Sequence, residues 1–443
     1  MLDLCRVRLR ANPRFQLIPY DRLPSSERSA LRSLTRDRDF FGILAPPPDS
    51  GLPKKSVTQD AALLFLALAE PACLPSLITR LLGARASELL RQLVLDQVLE
   101  FEHAGEFISG PAALGPLGGT PDSRAGSRVA RLSSEAIDYA QALDSLQVSQ
   151  VASRLYRFNT TPGTPALQRR FASDERVHAF VCGGAEVQRR LQSTWGSAVI
   201  EDGWFVWSVS AARSLEYKLY VSPVLGDLPK VFAFAIEALA QADCPRFKLG
   251  RSVHGLLRPD KLVAYFSQLE ALHRAAALIA DSAGQAAAQG VPFSAPIDPA
   301  GLLSWGMDPP RFERVLEEQA ELSWRQWLSE RVAVYAVAAR ASGGEAQAFV
   351  RHRIALDGVD PFDWTPLLED GVTIAEFAFD VTPVQSADTS LQAEDWALVV
   401  GDQSARVTLA GGRLGSMYEV ANVITTNESP AETLRASFRV LIE

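Results

Sequence analysis

The lysines of this sequence are few and lie close together. Only six of its 44 basic residues are lysines, and four of the six fall between positions 218 and 261. Cations on neighbouring strand ends are able to hold a carboxylate or a phosphate. We therefore predict that this segment binds an anionic group of a peptide. The residues assigned to that contact are Lys218, Tyr220, Lys248, Arg251, Arg258 and Lys261.

The local pattern predicts the elements that position these cations. It indicates strands over 214–223, 246–251 and 262–266, an amphipathic helix over 228–242 and a turn over 255–261. Trp305, in the rigid turn 304–310, is added to the binding residues because it can line a groove, although packing is the commoner role of such a residue. The alternative is that the lysines pair with Glu216 and Asp260 on a solvated face.

Residue spacings typical of a metal or cofactor enzyme are missing. The five histidines are dispersed without an HExxH motif, and there is no GxSxG, Walker loop or strand-linked GxGxxG. The four cysteines are scattered, with no CxxC pair. We therefore expect no catalytic residues, no cofactor and no metal.

Length and charge limit the remaining classes of protein. With 443 residues, 47% of them hydrophobic, the chain is long enough for roughly two to four domains. Its net charge of −8 argues against nucleic acid as a partner. The longest apolar stretch, residues 61–69, is too short for a membrane span, and the first ten residues lack the apolar core of a signal peptide. We expect a soluble, cytoplasmic protein.

Residues 1–112 are predicted to form a winged helix-turn-helix domain. Short strands precede three helices in close succession, and an alternating hairpin with a turn at Gly105 follows them. Seven acids against three arginines between residues 58 and 110 disfavour DNA binding. The order of elements and the phrase Leu93-Val-Leu-Asp-Gln-Val-Leu-Glu100 resemble the peptide-recognition domains of ribosomal peptide biosynthesis.

That resemblance implies that residues 14–110 bind the leader of a precursor peptide. The family is similar to the leader-binding chaperone of pyrroloquinoline quinone synthesis, in which the leader adds a strand to the sheet edge beside the third helix. It assigns Arg80, Arg91 and Leu95 to the leader contact. A winged-helix spacer that binds nothing is the alternative that the sequence leaves open.

Glycine and proline separate this domain from the rest of an α+β multidomain chain. Residues 113–130 lie in a Gly/Pro-rich stretch that predicts a flexible linker. Residues 131–330 are predicted to form a central α+β domain. Residues 331–443 are predicted to form an antiparallel β sandwich or barrel, opening with a hairpin over 332–355 that turns at Ser342-Gly-Gly344.

Charge is divided unevenly along the chain. Residues 354–443 hold fifteen acids and four arginines, a net charge of −11, so residues 1–353 sum to +3. An acidic terminal domain beside a mildly basic remainder indicates either a polarised partner surface or simple solubility. We favour solubility.

The strand, helix, strand, turn and strand around Lys218 and Lys248 resemble the lyase modules that act on phosphorylated peptides in lanthipeptide synthetases and bacterial effectors. Those modules need a lysine base for an α-proton, an acid for the leaving phosphate and arginines to hold it. The resemblance carries over Lys218 and Lys248 as base and phosphate ligand, and His254 is the only nearby acid. Because no lysine–histidine pair with supporting arginines is found, a relative that binds peptide without catalysis is favoured.

Two motifs connect the chain to one biosynthetic setting. They are Tyr217-Lys-Leu-Tyr-Val-Ser-Pro223 and Leu257-Arg-Pro-Asp-Lys-Leu-Val-Ala-Tyr-Phe266. With the domain order, they resemble the peptide-binding accessory proteins of crocagin-type ribosomal peptide (RiPP) biosynthesis. The resemblance implies a non-catalytic protein that binds a precursor peptide, by leader or core, and presents it to a tailoring enzyme such as an oxygenase. A homodimer is left open, as are a phosphopeptide lyase and, against the charge argument, a winged-helix transcriptional regulator.

Overall fold

The computed structural model describes most of the chain. The described residues are 2–47, 54–83, 86–117, 127–144, 147–209, 215–284, 286–309, 322–341, 344–356, 374–383, 390–398, 405–411, 413, 416–426 and 433–441. Within them the protein is mixed α and β, with antiparallel sheets. None of the helices described is long and apolar enough to cross a membrane.

The chain divides into two compact units. The first comprises Met1–Pro121, Ile137–Ser153 and Pro309–Ile354, and the second comprises Asp122–Ala136, Arg154–Asp308 and Ala355–Glu443. The sequence predicts domains that are continuous along the chain, whereas each of these units gathers segments that are far apart in sequence.

The N-terminal part of the first unit contains two antiparallel sheets, with the orders β5-β1-β6-β7 and β2-β3-β4. Thr58 begins the second helix by accepting a hydrogen bond from the backbone nitrogen of Ala61. Gly83 ends the third helix with φ at +55°. The predicted order of strands, three close helices and a hairpin is confirmed. The elements are β1 (Arg8–Ala11), β2 (Gln16–Pro19), α1 (Ser25–Ala30), β3 (Phe40–Ala45), β4 (Lys55–Thr58), α2 (Gln59–Ala67), β5 (Ala72–Cys73), α3 (Ser76–Leu82), α4 (Ala86–Leu95), β6 (Leu99–His103) and β7 (Glu106–Ile108).

Five helices follow the predicted linker. Half of that linker, residues 118–126, lies outside the described residues. The residues just before that gap are packed rather than extended, since Gly110–Ala113 form a 3-10 turn and Leu117 is fully buried. The helices are α5 (Arg128–Ala142), α6 (Val148–Tyr156), α7 (Pro165–Arg170), α8 (Asp174–Cys182) and α9 (Ala185–Thr194).

A seven-stranded sheet forms the centre of the second unit, and every neighbouring pair of its strands is antiparallel. Its order is β13-β14-β10-β12-β11-β9-β8. The predicted strands and the predicted helix around the clustered cations are confirmed, although a short helix, α11, replaces the start of the predicted turn. The elements are β8 (Val199–Glu201), β9 (Trp204–Ser208), β10 (Tyr217–Val221), α10 (Leu228–Gln241), β11 (Arg246–Gly250), α11 (Val253–Leu257), β12 (Leu262–Phe266), α12 (Leu269–Ala283), β13 (Ala295–Pro296) and β14 (Leu303–Met307).

Alternation along the strands gives this sheet two different faces. Leu219, Phe247 and Ala264 are fully buried and pack into one core with the helices of the unit, chiefly α10 and α12. Because successive side chains of a strand point to opposite faces, Lys218 and Lys248 lie on the other side. The apolar face therefore fixes which face presents the cations.

Two helices stand where the sequence predicts a hairpin, and this prediction is wrong. They are α13 (Trp324–Ala341) and α14 (Ala346–Leu356), whereas residues 310–321 and 342–343 lie outside the described residues. The run Val332–Ala338 is buried around most of its circumference, and the guanidinium of Arg331 lies 4.6 Å from the ring centroid of Trp327, one turn earlier. A short apolar run fits a buried helix as well as a strand, and periodicity alone cannot separate them.

The C-terminal region is built from antiparallel strands, as predicted. They form one sheet of order β15-β18-β19 and a two-stranded sheet β16-β17. Within the strands described there is no closed barrel. Some of the sequence on which the prediction rests, including residues 357–373, lies outside the described residues. The strands are β15 (Ile374–Pro383), β16 (Gln392–Leu398), β17 (Ala405–Ala410), β18 (Met417–Thr426) and β19 (Thr433–Leu441).

Candidate functional site

The candidate site is the face of the central sheet that is opposite the helical core, here called the polar face. Its strand residues follow from the register, in which Lys218 is paired with Tyr265 across β10 and β12, and Lys248 with Val206 across β11 and β9. Side chains from outside the sheet complete it. The polar face consists of Tyr156, Glu201, Trp204, Lys218, Tyr220, Arg246, Lys248, Arg258, Asp260, Tyr265 and Asp308.

Lys248 lies between two aromatic rings. Its Nζ is 4.3 Å from the ring centroid of Trp204 and 5.6 Å from that of Tyr265. No described carboxylate lies within ion-pairing distance of this ammonium group. Burial lowers the pKa of Lys248 from 10.5 to about 8, because the attraction of Asp260 only partly offsets that desolvation and the neighbouring cations add to the lowering. The side chain is a desolvated cation held by aromatic faces.

Arg258 lies beside Lys248 but is fully engaged. Its guanidinium donates from Nε and an Nη to the two carboxylate oxygens of Asp260, both at 2.8 Å, and donates to the hydroxyl of Tyr156 at 2.7 Å. It also lies 5.1 Å from the ring centroids of Tyr156 and Trp204. Burial alone would lower the pKa of Arg258, but the hydrogen bonds and charge of Asp260 outweigh burial and raise it. This arginine therefore holds in place the rings of Tyr156 and Trp204, which form an aromatic wall beside it.

Lys218 is the third cation at the centre of this face, and it is buried with 8% of its surface exposed. Its Nζ is ion-paired with Oδ1 of Asp308, just beyond β14. The alternative drawn from the sequence was that the lysines form ion pairs with Glu216 and Asp260. In the structure Lys218 is paired with Asp308, and Asp260 is paired with Arg258. Tyr220, two residues along β10, is 3% exposed.

The ion pairs of the polar face leave one positive charge over. Arg246 is paired with Glu201 at 2.5 Å, so that three of the four cations on this face have a carboxylate partner. Lys248 is the fourth. A cation without a counter-ion in a partly desolvated site is completed most simply by a single negative charge from a ligand. The arrangement can thus hold one carboxylate against an aromatic wall.

Three residues predicted for this site lie elsewhere. Arg251 is paired at 2.5 Å with Asp174, the first residue of α8, on the helical side of the sheet. Trp305 packs partly buried against the helical core, 6.3 Å from the ring of His273 on α12. Lys261 is fully buried and is described next.

Lys261 has a structural environment. Its Nζ donates to the carbonyl of Pro223 at 2.8 Å and to Oε1 of Gln289 at 2.5 Å. Burial lowers the pKa of Lys261 to about 7, and Asp260 offsets only part of that effect. The side chain of Lys261 has no exposed surface. Its ammonium group joins two segments of the unit and is not accessible to a ligand on the polar face.

The residues predicted to bind a leader are also dispersed within the first unit. Arg80 is exposed on α3 and its Nε donates to the carbonyl of Ser76 at 3.4 Å. Arg91 donates to the carbonyl of Leu117 at 2.6 Å. Leu95 is 1% exposed, which makes it a core residue of α4.

Several residues of the polar face were not predicted from the sequence. Strand alternation could have identified Trp204 and Tyr265 as residues of this face. Tyr265 is paired with Lys218, and Trp204 lies two residues from the partner of Lys248, so both side chains point to the same face as the lysines. No local signal marks Tyr156 or Asp308, which reach the face from the end of α6 and from the residue after β14. His254, the sequence's acid candidate, is exposed on α11. The described residues contain no group of three or more His, Cys, Asp or Glu side chains placed to hold a metal.

Comparison with known proteins gives limited matches. The family model described as podophage GP4 fiber-tail adaptor protein gp77 matches residues 361–440, less than a fifth of the chain. An effector protein from Pseudomonas syringae pv. tomato strain DC3000 is similar over 51% of this chain and 97% of its own, at 10% identity and a TM-score of 0.28. An effector protein from Pseudomonas syringae pv. syringae strain 61 matches 47% of this chain and 88% of its own, at 13% identity and a TM-score of 0.27. No curated protein matches the chain.

Proposed function

We propose that this protein binds a ribosomally made precursor peptide on the polar face of its central sheet and presents it to tailoring enzymes without itself catalysing a reaction. One observation carries the proposal: Lys248 is a partly buried cation, without a carboxylate partner among the described residues, resting on Trp204 and Tyr265. A peptide supplies both complements, an acidic group for the ammonium and apolar surface for the rings.

The charge balance of the polar face favours a carboxylate over a phosphate. Lys218, Arg246 and Arg258 are each neutralised within the face. A carboxylate would bring the remaining charge to zero, whereas a phosphate dianion would leave a negative charge in a partly desolvated site. The peptide group proposed here is an Asp or Glu side chain or the terminal carboxylate.

The first unit is proposed to hold the leader of the same peptide. Its strands, three helices and hairpin support a winged-helix assignment, and β4 is paired with β3 alone in the part of the chain that the structure describes. An unpaired edge can accept one more strand. Arg80, exposed on α3, is retained as a leader contact, whereas Arg91 and Leu95 would act by supporting α4.

The C-terminal strands are proposed to attach a second protein. The two antiparallel sheets support a small sandwich. The match of residues 361–440 to a family described as an adaptor supports a role in joining proteins. In the setting proposed here, the attached protein is a tailoring enzyme such as an oxygenase.

Isothermal titration calorimetry tests the peptide proposal. The probe is the synthetic peptide encoded by the short open reading frame nearest to the gene, made full length, without its leader, and with its acidic residues changed to amides. Lys248→Met is expected to weaken binding of the leader-free peptide roughly 10- to 100-fold, the effect of losing one charge-assisted hydrogen bond. The matched control Lys230→Met, an exposed lysine on α10, is expected to bind normally. Absence of binding to either form of the peptide contradicts the proposal.

A phosphopeptide lyase is the second candidate, favoured by the lowered pKa of Lys248, which makes a neutral amine available near pH 8. In that reaction the amine takes the α-proton of phosphoserine or phosphothreonine, the Cβ–O bond breaks, phosphate leaves and a Cα=Cβ double bond forms. This assigns the base to Lys248, since Lys218 is held by Asp308. Mass spectrometry of a phosphothreonine peptide incubated with wild type and Lys248→Ala separates the candidates, because only a lyase releases phosphate in a Lys248-dependent way.

A further inference from the structure

Exposed leucines are concentrated on two consecutive helices of the first unit. Leu63 and Leu66 on α2 are 40% and 60% exposed, and Leu77 and Leu81 on α3 are 60% and 64% exposed. We refer to these four residues as the leucine patch. They are all of the strongly exposed leucines within the described parts of the chain. Such exposure is costly in water unless another surface covers it.

The leucines form a stripe on each helix. Leu63 and Leu66 are three residues apart and Leu77 and Leu81 are four apart, so each pair lies on one helix face. The opposite face of α2 packs inward through residues that include Leu64 and Phe65. This helix is apolar nearly all round, a pattern typical of a helix buried on every side. Its outer face is therefore built as an interior surface, although Leu63 and Leu66 remain 40% and 60% exposed.

An open strand edge lies between the two helices in sequence. β5, residues Ala72–Cys73, is the end strand of its sheet and pairs on one side with β1, through Arg8 with Cys73 and Leu9 with Ala72. Its other edge is unpaired among the described strands. Cys73 is exposed and its thiol is free. An edge of this kind is a template for another strand.

We propose that the leucine patch and the β5 edge form a homodimer interface, in which they meet the same elements of a second copy of this chain. A two-fold axis sets β5 antiparallel to its own copy, matching the antiparallel sheet to which it belongs. A lone peptide strand is a poorer occupant, because a two-residue edge gives few hydrogen bonds and only a second copy also brings four exposed leucines to cover the patch. This interface is independent of the peptide-binding proposal.

The apolar area agrees with a dimer of ordinary size. Taking roughly 180 Å² for a fully exposed leucine, the four exposed fractions amount to about 400 Å² per chain, as large as the main apolar patch of many proteins. Two copies would bury about 800 Å² of leucine surface. A standard interface buries about 1,600 Å² in total, with somewhat more than half of it apolar. The patch thus supplies most of the apolar part.

Sedimentation equilibrium of the full chain at about 1 to 100 μM tests this interface. We expect wild type to have the dimer mass, and the double variant Leu66→Asp, Leu77→Asp to have the monomer mass, with a dissociation constant raised at least 100-fold. The matched control is Val199→Asp, because Val199 is 59% exposed on β8 of the other unit; this variant is expected to remain dimeric. A wild type that is monomeric at 100 μM, or a dimer unaffected by the double change, overturns the proposal.

Cross-linking keeps the proposal testable if the double variant does not fold. A short bismaleimide is expected to join two wild-type chains through Cys73, because β5 of each chain lies beside the other at the two-fold axis. Cys73→Ser is expected to remove the cross-linked dimer while leaving the sedimentation mass unchanged. If wild type gives no cross-linked species that depends on Cys73, the proposed interface is wrong.

Discussion

Replacing Lys248 with methionine should make the protein more stable at neutral pH while weakening peptide binding. Lowering the pKa of Lys248 from 10.5 to about 8 corresponds to about 3 kcal/mol of unfavourable burial of its charged form. This figure is an upper bound, since solvent reaches part of the side chain. The rings of Trp204 and Tyr265 return about 1 to 2 kcal/mol by attracting the cation. Methionine keeps the length without the charge, so a net gain of about 1 to 2 kcal/mol is expected at pH 7.

The gain should disappear as the pH rises. Below pH 8, Lys248 is protonated in both the folded and the unfolded chain, and the penalty is fully present. Between pH 8 and 10.5 the unfolded chain holds a proton that the folded chain has released, so wild-type stability rises with pH relative to the variant. Above 10.5 both forms are neutral. The difference between wild type and Lys248→Met is therefore largest near pH 7 and smallest near pH 10.5.

Urea-dependent alkylation of Cys244 provides the assay. This thiol is 2% exposed and lies in the core between the central sheet and its helices. Its alkylation therefore reports opening of that unit. Comparing Lys248→Met with wild type at each pH cancels the titration of every other group. A variant that is less stable than wild type at pH 7, or a difference that does not change with pH, would refute the reasoning and make Lys248 a structural residue.

Three further predictions concern binding and packing around the site. The affinity of wild type for the peptide, measured by calorimetry, should fall roughly tenfold from pH 7 to 9 as Lys248 loses its proton. Lys248→Arg should keep its affinity over this range because arginine stays charged, and equal pH profiles for wild type and this variant would contradict the prediction. In the urea-dependent thiol-labelling assay, Lys261→Ala should destabilise the unit by about 2 kcal/mol, because the buried side-chain oxygen of Gln289 loses its hydrogen-bond donor. Peptide affinity should be unchanged, and a large loss of affinity would instead place Lys261 in the site. Gly255→Ala should cost about 1 to 3 kcal/mol in the same assay, because a Cβ there lies 2.8 Å from Cα of Gly250, and unchanged stability would argue against that close approach.

The sequence located the strands that carry the site better than it located the site itself. Strand alternation around Lys218 and Lys248 was visible locally, and both side chains do share one face of the sheet. Arg251 was grouped with them from the order of the elements, and Trp305 was added because its rigid turn can line a groove. In the fold they belong to the other side, because the cross-strand register pairs Trp305 with Leu219, a residue of the helical core.

The segment Val332–Ala338 illustrates a second limit. Its composition is typical of a strand, and the Gly pair after it is typical of a hairpin turn. In the structure it is helical and buried within the first unit. Burial on several sides, rather than intrinsic preference, determines the conformation of such a run, and burial is a property of residues distant in sequence.

By itself, the sequence determined the local order of elements and the content of charge: strands followed by three close helices at the start, strands that carry the clustered lysines in the middle and acidic strands at the end. These follow from periodicity, caps and composition, which act over a few residues. Only the tertiary structure decided which cations are neutralised, because Asp308 and Glu201 reach Lys218 and Arg246 from distant parts of the chain, whereas Asp260 pairs with Arg258 only two residues away. That pairing leaves Lys248 as the unneutralised charge, and no count of residues along the chain could have selected it.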